Sequence, residues 1–211
     1  VLHSFWKDFV KELLFPAKLV RGENMLDSIQ NIDFYILDFL QTMARSSFWD
    51  KFFSFFTVFG NAPMFIFYTA LFLVFRQTRK EGLMLTGGLT TGLVIGNLIL
   101  KNVIHRARPC WLRPEVTLLV KNPSDYSFPS GHAIAATVFA VILIYTHPKL
   151  AYGLVPAALL MCYSRMYLYV HFPSDVLAGM LIGAGIGVLT CYLTPKIEKK
   201  INERKEKRSI I

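Results

Sequence analysis

The sequence predicts an all-α protein, a polytopic transmembrane helical bundle with amphipathic interfacial helices on its N-terminal side. Three observations carry this. Hydrophobic residues make up 54% of the 211 positions and mean hydropathy is +0.42; they fall in runs close to the ~20 residues that span a bilayer as a helix. Charged residues gather between those runs and in the last stretch of chain. Glycines recur every four positions in two runs, Gly88-Gly92-Gly96 and Gly179-Gly183-Gly187, a spacing that lets membrane helices approach closely. One domain is read over residues 1–211. It comprises interfacial helices to residue 50, a transmembrane core over 54–194 and a basic cytoplasmic tail over 195–211.

Residues 1–22 place Phe5, Trp6, Phe9, Val10, Leu13, Leu14 and Leu19 at helical spacing with lysines between them, the pattern of a helix lying in the membrane interface. The charges in this stretch leave no clean apolar core for a cleavable signal peptide. Residues 29–45 continue in the same style, and Asp33, Asp38 and Gln41 make them a poor span. The first span is read over 54–76, with Gly60, Asn61 and Pro63 bending it or marking its start. The second covers 83–104, the third 130–146, the fourth 151–170 and the fifth 174–194. A sixth span within 1–45 is the alternative. Between spans two and three lies a polar, proline-containing loop, 105–129.

Five spans put this loop and the 170–175 turn on one face of the membrane. Arg76, Arg79, Lys80, Lys149 and the basic tail fall on the other, which the positive-inside rule makes cytoplasmic. The net charge of +9 then reflects lipid-facing loops and tail, and no nucleic-acid partner is implied. Three cysteines make no disulfide framework.

Three polar clusters converge on the outer face. The stretch Ser164-Arg165-Met166-Tyr167-Leu168-Tyr169-Val170-His171-Phe172-Pro173-Ser174-Asp175 sits between two apolar runs. Pro173 suits the first residue of a helix, so Asp175 falls in its first turn, with His171 just before. An acid there can hold one imidazole nitrogen and leave the other free to attack. Arg165 adds a planar cation suited to phosphate oxygens. Phe128-Pro129-Ser130-Gly131-His132 opens span three, where free N–H groups and the helix dipole suit a phosphate; His132 can protonate a leaving oxygen. Lys101, His105 and Arg108 share one face if span two stays helical to Pro109; snorkelling side chains at a membrane boundary are the plain alternative.

Together these clusters resemble the type 2 phosphatidic acid phosphatase family. Its pattern is Lys, six residues, Arg-Pro; then Pro-Ser-Gly-His; then Ser-Arg, five residues, His, three residues, Asp. Lys101 to Arg108-Pro109, Pro129 to His132, and Ser164-Arg165 to His171 to Asp175 fill every position. The resemblance implies that His171 attacks phosphorus to form a phosphohistidine, Asp175 orients it, and His132 protonates the leaving group. It also implies that Lys101, Arg108, Ser130, Gly131 and Arg165 cradle the phosphoryl oxygens. His105 and Arg106 lie outside the pattern and are assigned no catalytic work. No cofactor and no catalytic metal is implied.

The expected activity is hydrolysis of a membrane lipid phosphate: phosphatidic acid, phosphatidylglycerol phosphate or undecaprenyl pyrophosphate. The expected location is a bacterial cell membrane, with the site on the extracytoplasmic side. Alternatives are a lipid phosphotransferase, a lipid A phosphatase, or a non-enzymatic membrane scaffold or transporter.

Overall fold

The computed structural model describes residues 25–209 and is helical throughout its regular elements. The interfacial helix expected over 1–22 lies outside the described residues. Helix α1 (Met25–Met43) is followed by α2 (Ser47–Phe56), where the Ser46 hydroxyl accepts the Trp49 N–H at 3.4 Å. A 3₁₀ turn, Thr57–Gly60, leads to Asn61 and then α3 (Ala62–Val74), with Pro63 in its first turn. Helix α4 (Arg79–Gly92) passes through a π-helical stretch, Leu93–Leu100, into α5 (Lys101–Ile104). Short α6 (Pro109–Leu112) lies in the loop over 105–130. The remaining helices are α7 (Gly131–Thr146), α8 (Ala151–Tyr167) and α9 (Pro173–Ser209).

Helix α7 is the centre of the bundle. Ile134, Val138, Ile142 and Leu143 pack with Met84 and Leu85 from α4 and with Ile186 and Cys191 from α9. Both glycine runs serve this packing. A Cβ at Gly92 or Gly96 would lie 2.8 or 2.5 Å from the Ile134 side chain, and one at Gly183 would meet the Ile134 carbonyl oxygen at 2.7 Å. Outside, Ile66, Val74, Leu83, Leu98, Val103, Leu181 and Val188 are exposed, an apolar belt that water would not tolerate at this density but lipid does.

The expected five spans are only partly matched. Among the described residues, two helical runs are long and apolar enough to cross a membrane, Arg79–Leu112 and Pro173–Glu206. A third exists if the pair Ser47–Gly60 and Ala62–Val74, bent by 52°, is one broken span. Helices α7 and α8 have 16 and 17 residues. Counting apolar residues overstates helix length here, because the polar turn at Asn61 and the site segments at Ser130 and Leu168 end the helices early.

Polar contacts gather at both ends of the bundle. The end of α5, the starts of α7 and α9 and the end of α8 meet at one end. At the other, Lys80 of α4 bonds Glu198 of α9 at 2.6 Å.

Candidate active site

The site forms where helices stop. Pro173 is the first residue of α9, as its missing N–H and preset φ favour. Tyr169 adopts a positive φ of 58°, so the chain reverses between α8 and α9 and the amides of Val170 and His171 fold back onto the Arg165 carbonyl at 3.2 and 3.3 Å. The Ser130 amide donates to the Asp175 carbonyl at 3.1 Å, which ties the start of α7 to the start of α9. Lys101 does not share a helical face with Arg108, as the sequence suggests: His105 ends α5 with φ 51°. Arg108 arrives instead from an extended residue before Pro109, the conformation a following proline favours.

His171 is buried and lies between two sets of charges. On its Nδ1 side stands Asp175, wholly buried, with Oδ2 at 3.8 Å. The Ser127 hydroxyl is 3.5 Å from Nδ1 and donates to Asp175 Oδ2 at 2.5 Å, while the Phe172 amide donates to the same oxygen at 2.9 Å. On its Nε2 side, Arg108 Nη1 lies 3.1 Å away and also donates to Val170 O at 2.7 Å. Burial, then the charges of Arg108, Arg165 and Lys101, hold the His171 pKa well below 6.5. The ring is therefore a neutral base at physiological pH, the form a nucleophile needs.

The cradle residues converge. Lys101, Arg108, Gly131, His132, Arg165 and His171 line one cleft of about 560 Å³. Arg165 is buried; Nη1 donates to the Thr57 hydroxyl, and its Nε has no partner among the described residues. The Ser130 hydroxyl, also buried, likewise has none. These are donors of the kind a phosphoryl group satisfies. His132 Nε2 lies 3.0 Å from Asn61 Oδ1. Below the cations the cleft is apolar, running between α3 and α4 past Ile66, Leu93 and Leu89 to Leu73. Among the described residues, no group of three His, Cys, Asp or Glu side chains is placed to hold a metal ion.

Several site residues were not legible beforehand. Arg106, set aside in the sequence reading, donates from Nη1 to Asp175 Oδ1 at 2.5 Å and to Ser174 Oγ at 2.7 Å, and from Nη2 to Asp33 Oδ2 at 2.6 Å. Asp33, buried on α1, also accepts the Ser174 amide at 2.9 Å. Asp125 bonds both Lys101 and Arg108; burial alone would raise its pKa, but these cations bring it down to about 2. Asn61 showed in the sequence only as a helix break, and Asp33 only as a polar intrusion. The one usable signal was Arg-Ala-Arg-Pro, since residues two apart in an extended stretch share a face.

The sequence profile of the PAP2 superfamily matches residues 81–199. The chain is 39% identical over 140 residues to an undecaprenyl-diphosphatase of Sulfolobus acidocaldarius, covering 66% of this chain and 68% of that protein. It is 38% identical over 114 residues to a decaprenylphosphoryl-5-phosphoribose phosphatase of Mycobacterium tuberculosis, covering 54% of this chain and 61% of that protein. The crystal structure of a transmembrane PAP2-type phosphatidylglycerolphosphate phosphatase from Bacillus subtilis superposes with a TM-score of 0.67 at 27% identity, covering 92% of this chain and 96% of that one.

Proposed function

The chain belongs to the PAP2 superfamily, and from that membership we propose that it hydrolyses the terminal phosphate of a membrane lipid through a phosphohistidine, without a metal. The observation that carries this is the single cleft in which a neutral buried His171, a second histidine and three cations meet above an apolar groove. His171 Nε2 attacks phosphorus as the bond to the lipid oxygen breaks. His132 delivers a proton to that oxygen. A water, deprotonated by His132, then cleaves the P–N bond and releases inorganic phosphate and His171. Lys101, Arg108 and Arg165, with Ser130 and the amide of Gly131, hold the equatorial oxygens where the transition-state charge lies.

The bent α2–α3 pair, the α4–α5 rod, α7, α8 and α9 are read as five crossings of a bacterial cell membrane, with α1 on the surface. The basic end faces the cytoplasm and the site faces outward, level with lipid headgroups. The favoured substrate is a polyprenyl diphosphate. The undecaprenyl and decaprenyl relatives support it, as does a groove whose apolar length follows one pair of helices and suits a single chain. A phosphatidylglycerol phosphate is the second reading, favoured by the nearly full-length likeness to the Bacillus structure.

The test is phosphate release in detergent with excess EDTA, from undecaprenyl pyrophosphate, phosphatidylglycerol phosphate and phosphatidic acid, beside the His171→Ala variant. Release that survives EDTA and disappears in the variant is expected. Activity that EDTA abolishes, or that His171→Ala retains, would refute the mechanism.

A further inference from the structure

The anion cradle is already paired with a carboxylate from its own chain. Asp125, on the loop between α6 and α7, bonds Lys101 through one oxygen and lies 2.8 Å from Arg108 Nη2 through the other. Both cations are almost wholly buried, whereas the Asp125 side chain is 54% exposed. The acid thus reaches in from outside and lines the same cleft as His171 and Arg165. Its carboxylate is not what fixes Arg108. The guanidinium Nε donates to the Asp125 backbone carbonyl at 2.7 Å and Nη1 to that of Val170 at 2.7 Å. In this arrangement Lys101 and Arg108 Nη2 are taken by the acid, and Arg108 Nη1 stands 3.1 Å from His171 Nε2, over the lone pair that must attack.

We propose that Asp125 is a specificity determinant: an internal anion that a ligand must displace from Lys101 and Arg108, admitting doubly charged terminal phosphates and refusing the singly charged phosphodiester headgroups of the surrounding bilayer. This rests on the lipid phosphatase reading above. Exchanging one monoanion for another leaves the Coulomb sum with Lys101, Arg108 and Arg165 nearly unchanged. A terminal phosphate, whose second pKa is about 6, brings a further charge at neutral pH. A diester never does. An enzyme embedded in phospholipid meets diesters in great excess over its substrate, so discrimination needs an element that penalises them. A carboxyl that loses its proton at about 2 keeps that competing charge at every pH at which a bilayer enzyme works.

The experiment uses the full chain in detergent micelles, with Asp125→Asn and Asp125→Ser. Inorganic phosphate binding is measured by calorimetry, alone and in competition with short-chain phosphatidylglycerol, and lipid phosphate hydrolysis is measured beside it. Both variants should bind phosphate about tenfold more tightly, a figure discounted for the half-exposed carboxylate, and phosphatidylglycerol should become an effective competitor. Weaker or unchanged phosphate binding in both variants, with hydrolysis intact in the wild type, overturns the role of Asp125 and leaves the phosphatase reading standing. Tighter binding with phosphatidylglycerol still excluded overturns the diester discrimination. Tighter phosphate and phosphatidylglycerol binding in a wild-type background that hydrolyses no lipid phosphate upholds the competition and removes the phosphatase reading.

Discussion

Replacing Arg106 by Met should cripple turnover without touching the substrate cleft. Arg106 does not line that cleft. It lies 2.5 Å from Asp175 Oδ1 and 2.6 Å from Asp33 Oδ2, and its guanidinium carbon sits 4.2 Å from the centre of the Phe172 ring. Met keeps much of the packing on Phe172 but leaves two buried carboxylates facing one another uncompensated. Removing one member of a buried pair costs about 3–5 kcal/mol. The remaining hydrogen bonds from Ser127, Phe172 and Ser174 offset part of this, so we assign about 3 kcal/mol to the loss of an oriented Asp175. Expressed in the transition state, that is roughly a 100-fold fall in kcat, with KM for the lipid nearly unchanged. Arg106 is a positioning residue, and the split between kcat and KM separates this from mere loss of structure. Lys at 106 should rescue only partly, since an ammonium cannot span both acids as the planar fork does. The assay is steady-state phosphate release from pH 5 to 9, with thermal unfolding as the control. A folded Arg106→Met variant with near wild-type kcat would refute the reasoning.

Asp33→Ala should reproduce a weaker form of this loss, because the Ser174 amide and Arg106 both lose an acceptor; phosphate release by the folded variant checks it. Gly183→Val should destabilise the bundle by about 3 kcal/mol or more, since its Cβ would sit 2.7 Å from the Ile134 backbone oxygen and neither backbone can yield cheaply; the shift in unfolding midpoint in detergent reads this. Asn61→Leu should lower kcat about tenfold by removing the Nε2 partner of His132, and a variant that keeps full kcat would show that contact to be dispensable. The depressed pKa of His171 sets a stability trend. The unfolded imidazole takes up a proton below 6.5 and the folded one does not, so its contribution is fully present above that pH and is lost as pH falls through it toward the folded pKa. The decline approaches about 1.4 kcal/mol per pH unit. His171→Ala should flatten that slope in urea titrations between pH 7 and 5.

Local placement was more legible than the architecture. His171 and Asp175 lie within one short stretch, and Ser130 to His132 within another, so helix-start rules located them at the starts of α9 and α7. What the sequence concealed are partners far apart along the chain. Asp33 meets Ser174 across 141 positions, and the Tyr167 hydroxyl bonds Asp50 at 2.6 Å across 117. Read alone, the polar residues of α1 suggest only an interfacial helix. In the fold they are its docking points: Asp33 on Ser174 and Arg106, Asp38 on Arg113 and Tyr169, and Gln41 on the Tyr167 carbonyl. Span number was only partly legible because hydropathy counts apolar residues, whereas helix ends are set by turn residues such as Asn61 and His105.

The two arginines of Arg106-Ala107-Arg108-Pro109 show how one short segment reaches both Asp175 and His171. His105 stops α5, and Pro109 keeps Arg108 extended. Side chains two apart then point the same way, here toward the turn between α8 and α9. Arg106 lands on the acid and Arg108 on the histidine. Exchange of either cation for an apolar residue should therefore slow turnover, but with different signatures. Without Arg106, kcat falls and KM holds. Without Arg108, phosphate affinity falls as well, and Asp125 loses one of the two cations it bonds. Measuring the two variants together separates orientation of the nucleophile from capture of the phosphate, and equal KM effects in both would show that the segment acts as a single undivided charge.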